Sequence, residues 1–334
     1  MGLNSDKPHL WKADVEKSID FYNDWFLRFA PETYRQQRKI RTKEVIAAFE
    51  KTADLTQITP DILRQNPGVL PMLRMITAPP LARDRLMGLS YVGKNLIESM
   101  EGKDAKPPRL PSRMPAAELT EALTRICDVI AEVADRDLFP WLDEGGRPDE
   151  VALDRAATVV VDRLCGAAAD PIIRNAQEKR QLTAIGRWLK RQGYRQISTE
   201  EARDPRSMSA GTYTFRLGLP AGKSKATVSV PIDCVIKPVG SAAGEMPVFI
   251  DGKSAGATLN IFKRWKEDAQ KFTQLKMCYG RDLRLVLVLC GYFGPEDLGS
   301  EAAEGIDWVW EHRLADLGGL LSLAPKNSHH GKPR

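Results

Sequence analysis

Asp251 and Lys253 stand two residues apart in the segment Pro247–Lys253, and Asp233 precedes them by eighteen positions in Val230-Pro231-Ile232-Asp233. Both segments are short, apolar or β-branched, and bounded by Gly/Pro/Ser clusters, which reads as β-strand. Side chains alternate across a strand, so Asp251 and Lys253 share one face. In Val228–Ile236 the same rule sends Val228, Val230, Ile232 and Cys234 to one face, with Ser229, Pro231, Asp233 and Val235 on the other. If the two strands are neighbours, Asp233 and Asp251 present hard oxygen ligands to one Mg²⁺, with an ammonium beside them. Such a set can align and activate water, neutralise charge on a phosphoryl transition state and stabilise a leaving oxygen. Whether Lys253 orients the water, deprotonates it or balances charge stays open.

A third carboxylate belongs to the same reading. Glu178, Leu182, Ile185 and Leu189 fall at intervals of four, three and four, on one helical stripe. Glu178 then either favours the start of its helix electrostatically or coordinates the metal or water. The following helix, about Thr258 to Tyr279, sets Phe262, Trp265, Ala269 and Phe272 on one side, with Lys263, Lys266, Gln270 and Gln274 on an adjacent flank. Those four are donors suited to positioning a nucleic-acid backbone without reading bases, or else a solvated face. The triplet acid-x-Lys alone decides nothing, since Glu101-Gly102-Lys103 and Asp104-Ala105-Lys106 match it outside any strand. Asp251-Gly252 also fits a hairpin turn, but Ser254-Ala255-Gly256-Ala257 makes a poor return strand. Strand context, the earlier Pro-Ile-Asp and the basic helix that follows are what single out this triplet.

The elements that must hold these residues occupy the second half of the chain. The order after Asp170 is a helix from about Pro171 to Gln192, strands at Thr212–Leu219, Ala226–Lys237 and Pro247–Lys253, the basic helix, and an apolar strand at Leu283–Cys290. This predicts an α/β (α+β) fold with a mixed central sheet flanked by helices, and a C-terminal helix around Trp308 to Leu321. Upstream, residues 1–102 read as a helical N-terminal region, with Phe21, Trp25 and Phe29 as a core stripe. Residues 103–117 read as a Pro-rich linker. Residues 118–170 form a helical connecting region with Leu119, Leu123, Ile126, Ile130 and Val133 inward, and a further helix over Glu150–Cys165. The core then spans 171–323, and 324–334 reads as a disordered tail.

The 334 residues, 43% hydrophobic and 28% charged, suffice for a sizeable core. No apolar run of about 18 residues and no secretory h-region occur, which predicts a cytoplasmic protein without a membrane partner. Five scattered cysteines fit buried reduced thiols. No histidine lies between His9 and His312, which excludes Ser-His-Asp hydrolases and H-E-x-x-H metalloproteases. The net charge of +5 is modest but uneven. Residues 171–196 carry seven cationic residues against Glu178 alone, and residues 258–284 carry seven against three acidic ones. Two basic segments on one chain suggest a localised polyanion footprint, or else solvated helix faces.

Pro231-Ile232-Asp233 with Asp251-Gly252-Lys253 resembles the PD-(D/E)XK nuclease signature, with an isoleucine between the proline and the aspartate. Over nearly its full length the chain also resembles the XamI family of type II restriction endonucleases. The likeness is carried by Lys7-Pro8-His9-Leu10-Trp11-Lys12-Ala13-Asp14, Tyr22-Asn23-Asp24-Trp25-Phe26, Arg28-Phe29-Ala30-Pro31, Pro79-Pro80-Leu81-Ala82-Arg83-Asp84-Arg85-Leu86 and Phe249-Ile250-Asp251-Gly252-Lys253-Ser254-Ala255-Gly256. The resemblance implies a PD-(D/E)XK nuclease core and a homodimer that cuts both strands of double-stranded DNA at a short palindrome, GTCGAC or a related sequence. It further implies 5′-phosphate ends and a cognate DNA methyltransferase protecting host DNA. Two other readings share the fold: a DNA-binding protein that has lost catalysis, against which the intact Asp233, Asp251 and Lys253 argue, and a structure-specific repair nuclease.

Overall fold

The computed structural model describes residues 2–102, 106–221, 228–256, 261–280 and 283–321, excluding the side chains of 221, 228 and 261–268. The stretch 324–334, expected as a disordered tail, lies outside the described residues. Chain contacts define two units, Met1–Arg28 with Arg174–Arg334, and Phe29–Ile173. Helix α1 (Pro8–Lys51) contributes residues to both.

Within Phe29–Ile173 the chain forms α2 (Pro60–Gln65), α3 (Leu70–Met75), α4 (Arg83–Ser90), α5 (Lys94–Glu101), α6 (Ala116–Glu132) and α7 (Trp141–Glu144). The expected inward face of α6 is present, with Leu123, Ile126 and Ile130 fully buried against Leu63, Leu73, Ile76 and Leu96. Helix α8 (Glu150–Arg191) then runs on into the other unit. It replaces the two helices expected over Glu150–Cys165 and Pro171–Gln192, with Pro171 inside it. A proline removes one backbone hydrogen bond and costs about 3 kcal/mol in a helix interior. Val160 and Cys165 before it are buried in one unit, and Ile185 and Leu189 after it in the other.

The other unit is built on a six-stranded mixed sheet in the order β1 (Arg195–Gln196), β2 (Thr212–Ala221), β3 (Val228–Lys237), β4 (Val248–Ala255), β5 (Arg284–Gly291) and β6 (Asp307–Trp310). β2, β3 and β4 form an antiparallel meander. β4 to β5 and β5 to β6 are parallel, so each step needs a crossover element. Helices α9 (Ile261–Tyr279) and α10 (Pro295–Ala303) supply them. One face of the sheet buries Phe249, Leu285, Leu287 and Leu289 with Phe272 and Leu275 of α9. The other buries Ile250, Val286 and Val288 with Leu182, Ile185 and Leu189 of α8. Burial on both faces explains why β5 reads as an unbroken apolar run.

Three further expectations are corrected. The helix placed at Trp308–Leu321 is instead strand β6, a 3₁₀ segment over Glu311–Asp316 and the short helix α11 (Leu317–Leu320). Trp308, Val309 and Trp310 are all fully buried beside β5, and so short an apolar run carries no usable periodicity. Phe21 is 40% exposed rather than core, and with Trp25 it stacks on the Arg180 guanidinium at 5.2 and 4.9 Å. Cys278 is exposed, whereas the other four thiols are buried as expected. No helix among the described residues is long and apolar enough to cross a membrane.

Because Leu287 is fully buried at the centre of the sheet, Leu287→Ala should lower the unfolding free energy by about 3 kcal/mol. Urea titration followed by circular dichroism measures it, and a loss below about 1 kcal/mol would contradict this packing.

Candidate active site

Strand β3 pairs with β4 at Ile236↔Val248, Val235↔Phe249 and Cys234↔Ile250, and the pairing stops there. The next residues in register are Asp233 and Asp251. β4 continues along β5 through Asp251↔Leu287, Gly252↔Val288 and Lys253↔Leu289 as far as Ala255↔Gly291. The two strands therefore fork at the two aspartates. The Gly252 N–H donates to Asp233 Oδ2 at 2.8 Å, so a carboxylate takes the backbone donor beyond the fork.

Gly252 has a steric role between the acidic and basic residues of its triplet. A Cβ there would lie 2.5 Å from Gln181 Oε1 and 3.4 Å from Asp233 Oδ2. Gln181 is itself fixed, because its Nε2 donates to the Val288 carbonyl at 2.8 Å. Helix α8 thus braces the fork from one side of the sheet.

Asp251 is buried, and each of its carboxylate oxygens meets an ammonium. Lys253 Nζ lies 2.9 Å from Oδ2 and Lys271 Nζ 2.9 Å from Oδ1. Burial alone would raise the Asp251 pKa, but Lys253 and Lys271 outweigh it and hold the carboxyl below its usual range. Among the described residues Asp233 has no ammonium partner. Burial first, and then the charge of Asp251, raise its pKa to about 6, against the opposing pull of the Gly252 N–H and the two lysines. Two carboxylates at one strand fork, one of them raised to about 6 by burial first and by its neighbour's charge second, form a hard oxygen donor pair that a divalent cation would relieve. No third acidic, histidine or cysteine residue forms a metal-binding cluster with them among the described residues.

Lys271 was not singled out by the sequence reading. It lies on α9 four residues before Leu275, which is fully buried, and that inward spacing was the available signal. Asp233, Asp251 and Lys253 do come together as expected. Glu178 does not join their carboxylates; its side chain is 44% exposed and pairs with Arg216 at 2.9 Å. Gln270 and Gln274 are exposed on α9. Lys263 and Lys266 lie on the same helix, but their side chains fall outside the described residues.

The expected alternation of β3 fails at Asp233. Ile232 packs into one core and Cys234 into the other. Across the β2–β3 pair, Phe215↔Cys234 and Leu217↔Ile232 bracket the position where Arg216 faces Asp233. Arg216 has φ 54°, in the left-handed region. An irregular backbone residue there reverses which side the flanking residues present, and a pattern of period two cannot foresee it.

A model of the XamI restriction endonuclease family matches residues 53–310 of the chain. The chain is also similar to the type II restriction enzyme SalI of Streptomyces albus G. The two are 46% identical over 316 residues, covering 94% of this chain and 98% of that protein. No solved structure matches.

The raised Asp233 pKa has a signed consequence for stability. Protonation is favoured in the folded state, so this group contributes stability fully below pH 3.8, and the contribution is lost as pH rises through about 6. Asp233→Asn should therefore stabilise the metal-free protein above pH 6, by about 3 kcal/mol at pH 8, and leave it unchanged near pH 3. Thermal melts of both proteins in chelator across that range test this, and equal melting temperatures at pH 8 would contradict it.

Proposed function

The chain belongs to the XamI restriction endonuclease family and is a type II site-specific deoxyribonuclease, and from that premise we propose that DNA is hydrolysed at the fork of β3 and β4. The observation that carries the reading is the convergence of Asp233, Asp251 and Lys253 where the β3–β4 ladder ends. Asp233 and Asp251 would hold Mg²⁺, which when bound supplies a Lewis acid for the phosphate and an acidified water. Their hard anionic oxygens suit it.

The protein's own residues do the remaining work. With its pKa near 6, Asp233 is mostly ionised at neutral pH and so available as a ligand. The Gly252 N–H fixes which way its carboxylate faces. Lys253, 2.9 Å from Asp251, lies where an ammonium can orient the attacking water or offset negative charge on the phosphoryl group in the transition state. Lys271 is the counter-ion on the other oxygen of Asp251. It keeps that buried carboxylate ionised, and we assign it a positioning role. Glu178 is proposed to act through Arg216. The donors Lys263, Lys266, Gln270 and Gln274 are proposed to meet the DNA backbone from α9.

Family likeness supports the finer parts of the proposal. These are a palindromic target of GTCGAC or a related sequence, 5′-phosphate ends, a homodimer that cuts both strands, and a cognate methyltransferase that protects host DNA. The decisive experiment incubates the protein with unmethylated phage DNA and Mg²⁺, with and without chelator, and sequences the ends. Discrete 5′-phosphorylated ends at one palindrome, lost with chelator, are expected; a smear or uncut DNA would overturn the reading.

Asp233→Ala, Asp251→Ala and Lys253→Ala should each lower single-turnover cleavage by at least about 10³-fold while binding of the duplex persists. Lys271→Ala should lower the rate less, by about 10-fold to 100-fold, if it only positions Asp251. Wild-type rates in any of the first three would move the site elsewhere.

A further inference from the structure

Between α8 and β2 lies an open groove of about 640 Å³ that the reaction scheme leaves unused. Its rim carries Lys179, Arg187 and Lys190 from α8 and Arg216 from β2, and its floor includes Tyr213 and Phe215. Helix α8 comes down onto this floor at Gly186, where a Cβ would meet the Phe215 ring at 3.2 Å. All four cationic residues are exposed. The spacing of Lys179, Arg187 and Lys190 brings them to one face of the helix, in steps of eight and three residues. No acidic residue lines the groove; the one at its edge is Glu178, which holds Arg216 at 2.9 Å. Phe215↔Cys234 and Leu217↔Ile232 flank the break in the β2–β3 ladder at Arg216 and Asp233, so the row of cations ends on the strand paired with the one that carries Asp233.

We propose that this groove is a phosphate track for one strand of the DNA duplex, leading to the scissile bond, and that Arg216 exchanges Glu178 for a phosphate when DNA arrives. The inference rests on the reading of the fork as the cleavage site and adds a second backbone contact surface, separate from α9. The row of cations matches a regularly spaced polyanion, and Arg offers a planar fork of donors to a phosphate. Glu178 serves as the resting counter-ion. It keeps Arg216, whose backbone is in the left-handed region, paired in the absence of substrate. Contacts of this kind carry affinity and register but no base sequence.

The test measures duplex binding by fluorescence anisotropy in chelator, at several salt concentrations, for a cognate duplex and an unrelated one. For Arg187→Ala/Lys190→Ala the expected result is a loss of about tenfold or more on both duplexes. The slope of log K against log salt should become shallower by about 1.8, or roughly 0.9 for each lost phosphate contact. Arg187→Lys/Lys190→Arg, which keeps both charges, should retain the slope, and this separates lost charge from a disturbed helix. Glu178→Gln should tighten binding several-fold by freeing Arg216. An unchanged slope in the Ala variant, a loss confined to the cognate duplex, or weaker binding by Glu178→Gln would each overturn the proposal. Cleavage by the wild-type protein is scored separately. Discrete cutting with an unchanged slope removes the groove and leaves the fork, whereas no cutting by the wild type removes the fork itself.

Discussion

Two carboxylates brought together in a poorly solvated corner repel each other, and most of the candidate site is arranged around that repulsion. Asp251 is deeply buried, and two lysines balance it, one from its own strand and one from α9. Asp233 has a backbone N–H but, among the described residues, no direct ammonium partner, and its pKa rises to about 6. An isolated buried carboxylate would simply take up a proton. Here the partners divide the two roles, one aspartate firmly ionised and the other held close to neutrality, where a cation can still claim it.

The sheet creates this corner through a change in pairing. β4 keeps its parallel partner β5 beyond Gly252, while β3 departs after Cys234. Parallel pairing commits the chain to a crossover, and α9 supplies it. The same crossover brings Lys271 over Asp251, so the connection that topology requires also carries a residue of the site. On the other side α8 holds Gln181 against Gly252. The middle residue of the Asp-Gly-Lys triplet is thereby restricted by packing and not by turn conformation, which also disposes of the hairpin alternative.

Much of this was legible in the sequence. Strand-like composition located β2 to β5 to within a few residues, and the step of two from Asp251 to Lys253 placed both on one face. That face is the one with Lys271 and the buried side of α9. The mixed sheet with flanking helices followed from the order of elements, because local patterning determines local structure and short connections leave few topologies open. The buried face of α6 was readable for the same reason. By contrast, a stripe of aromatics on α1 gave a false reading, since Phe21 and Trp25 cover a guanidinium instead of entering a core.

The sequence by itself determined which residue types were available, the faces they occupy in regular strands, and the family likeness that supplied the chemistry. Tertiary structure decided the remaining points. Pairing between distant segments ended the β3–β4 ladder at the aspartates, and Arg216 in the left-handed region broke the alternation of period two beside Asp233. Helix α8 includes Pro171, and Glu178 on it meets Arg216 of β2. Each of these depends on contacts between residues far apart in the chain, whose energies outweigh local preference and leave no periodic trace in the order of amino acids.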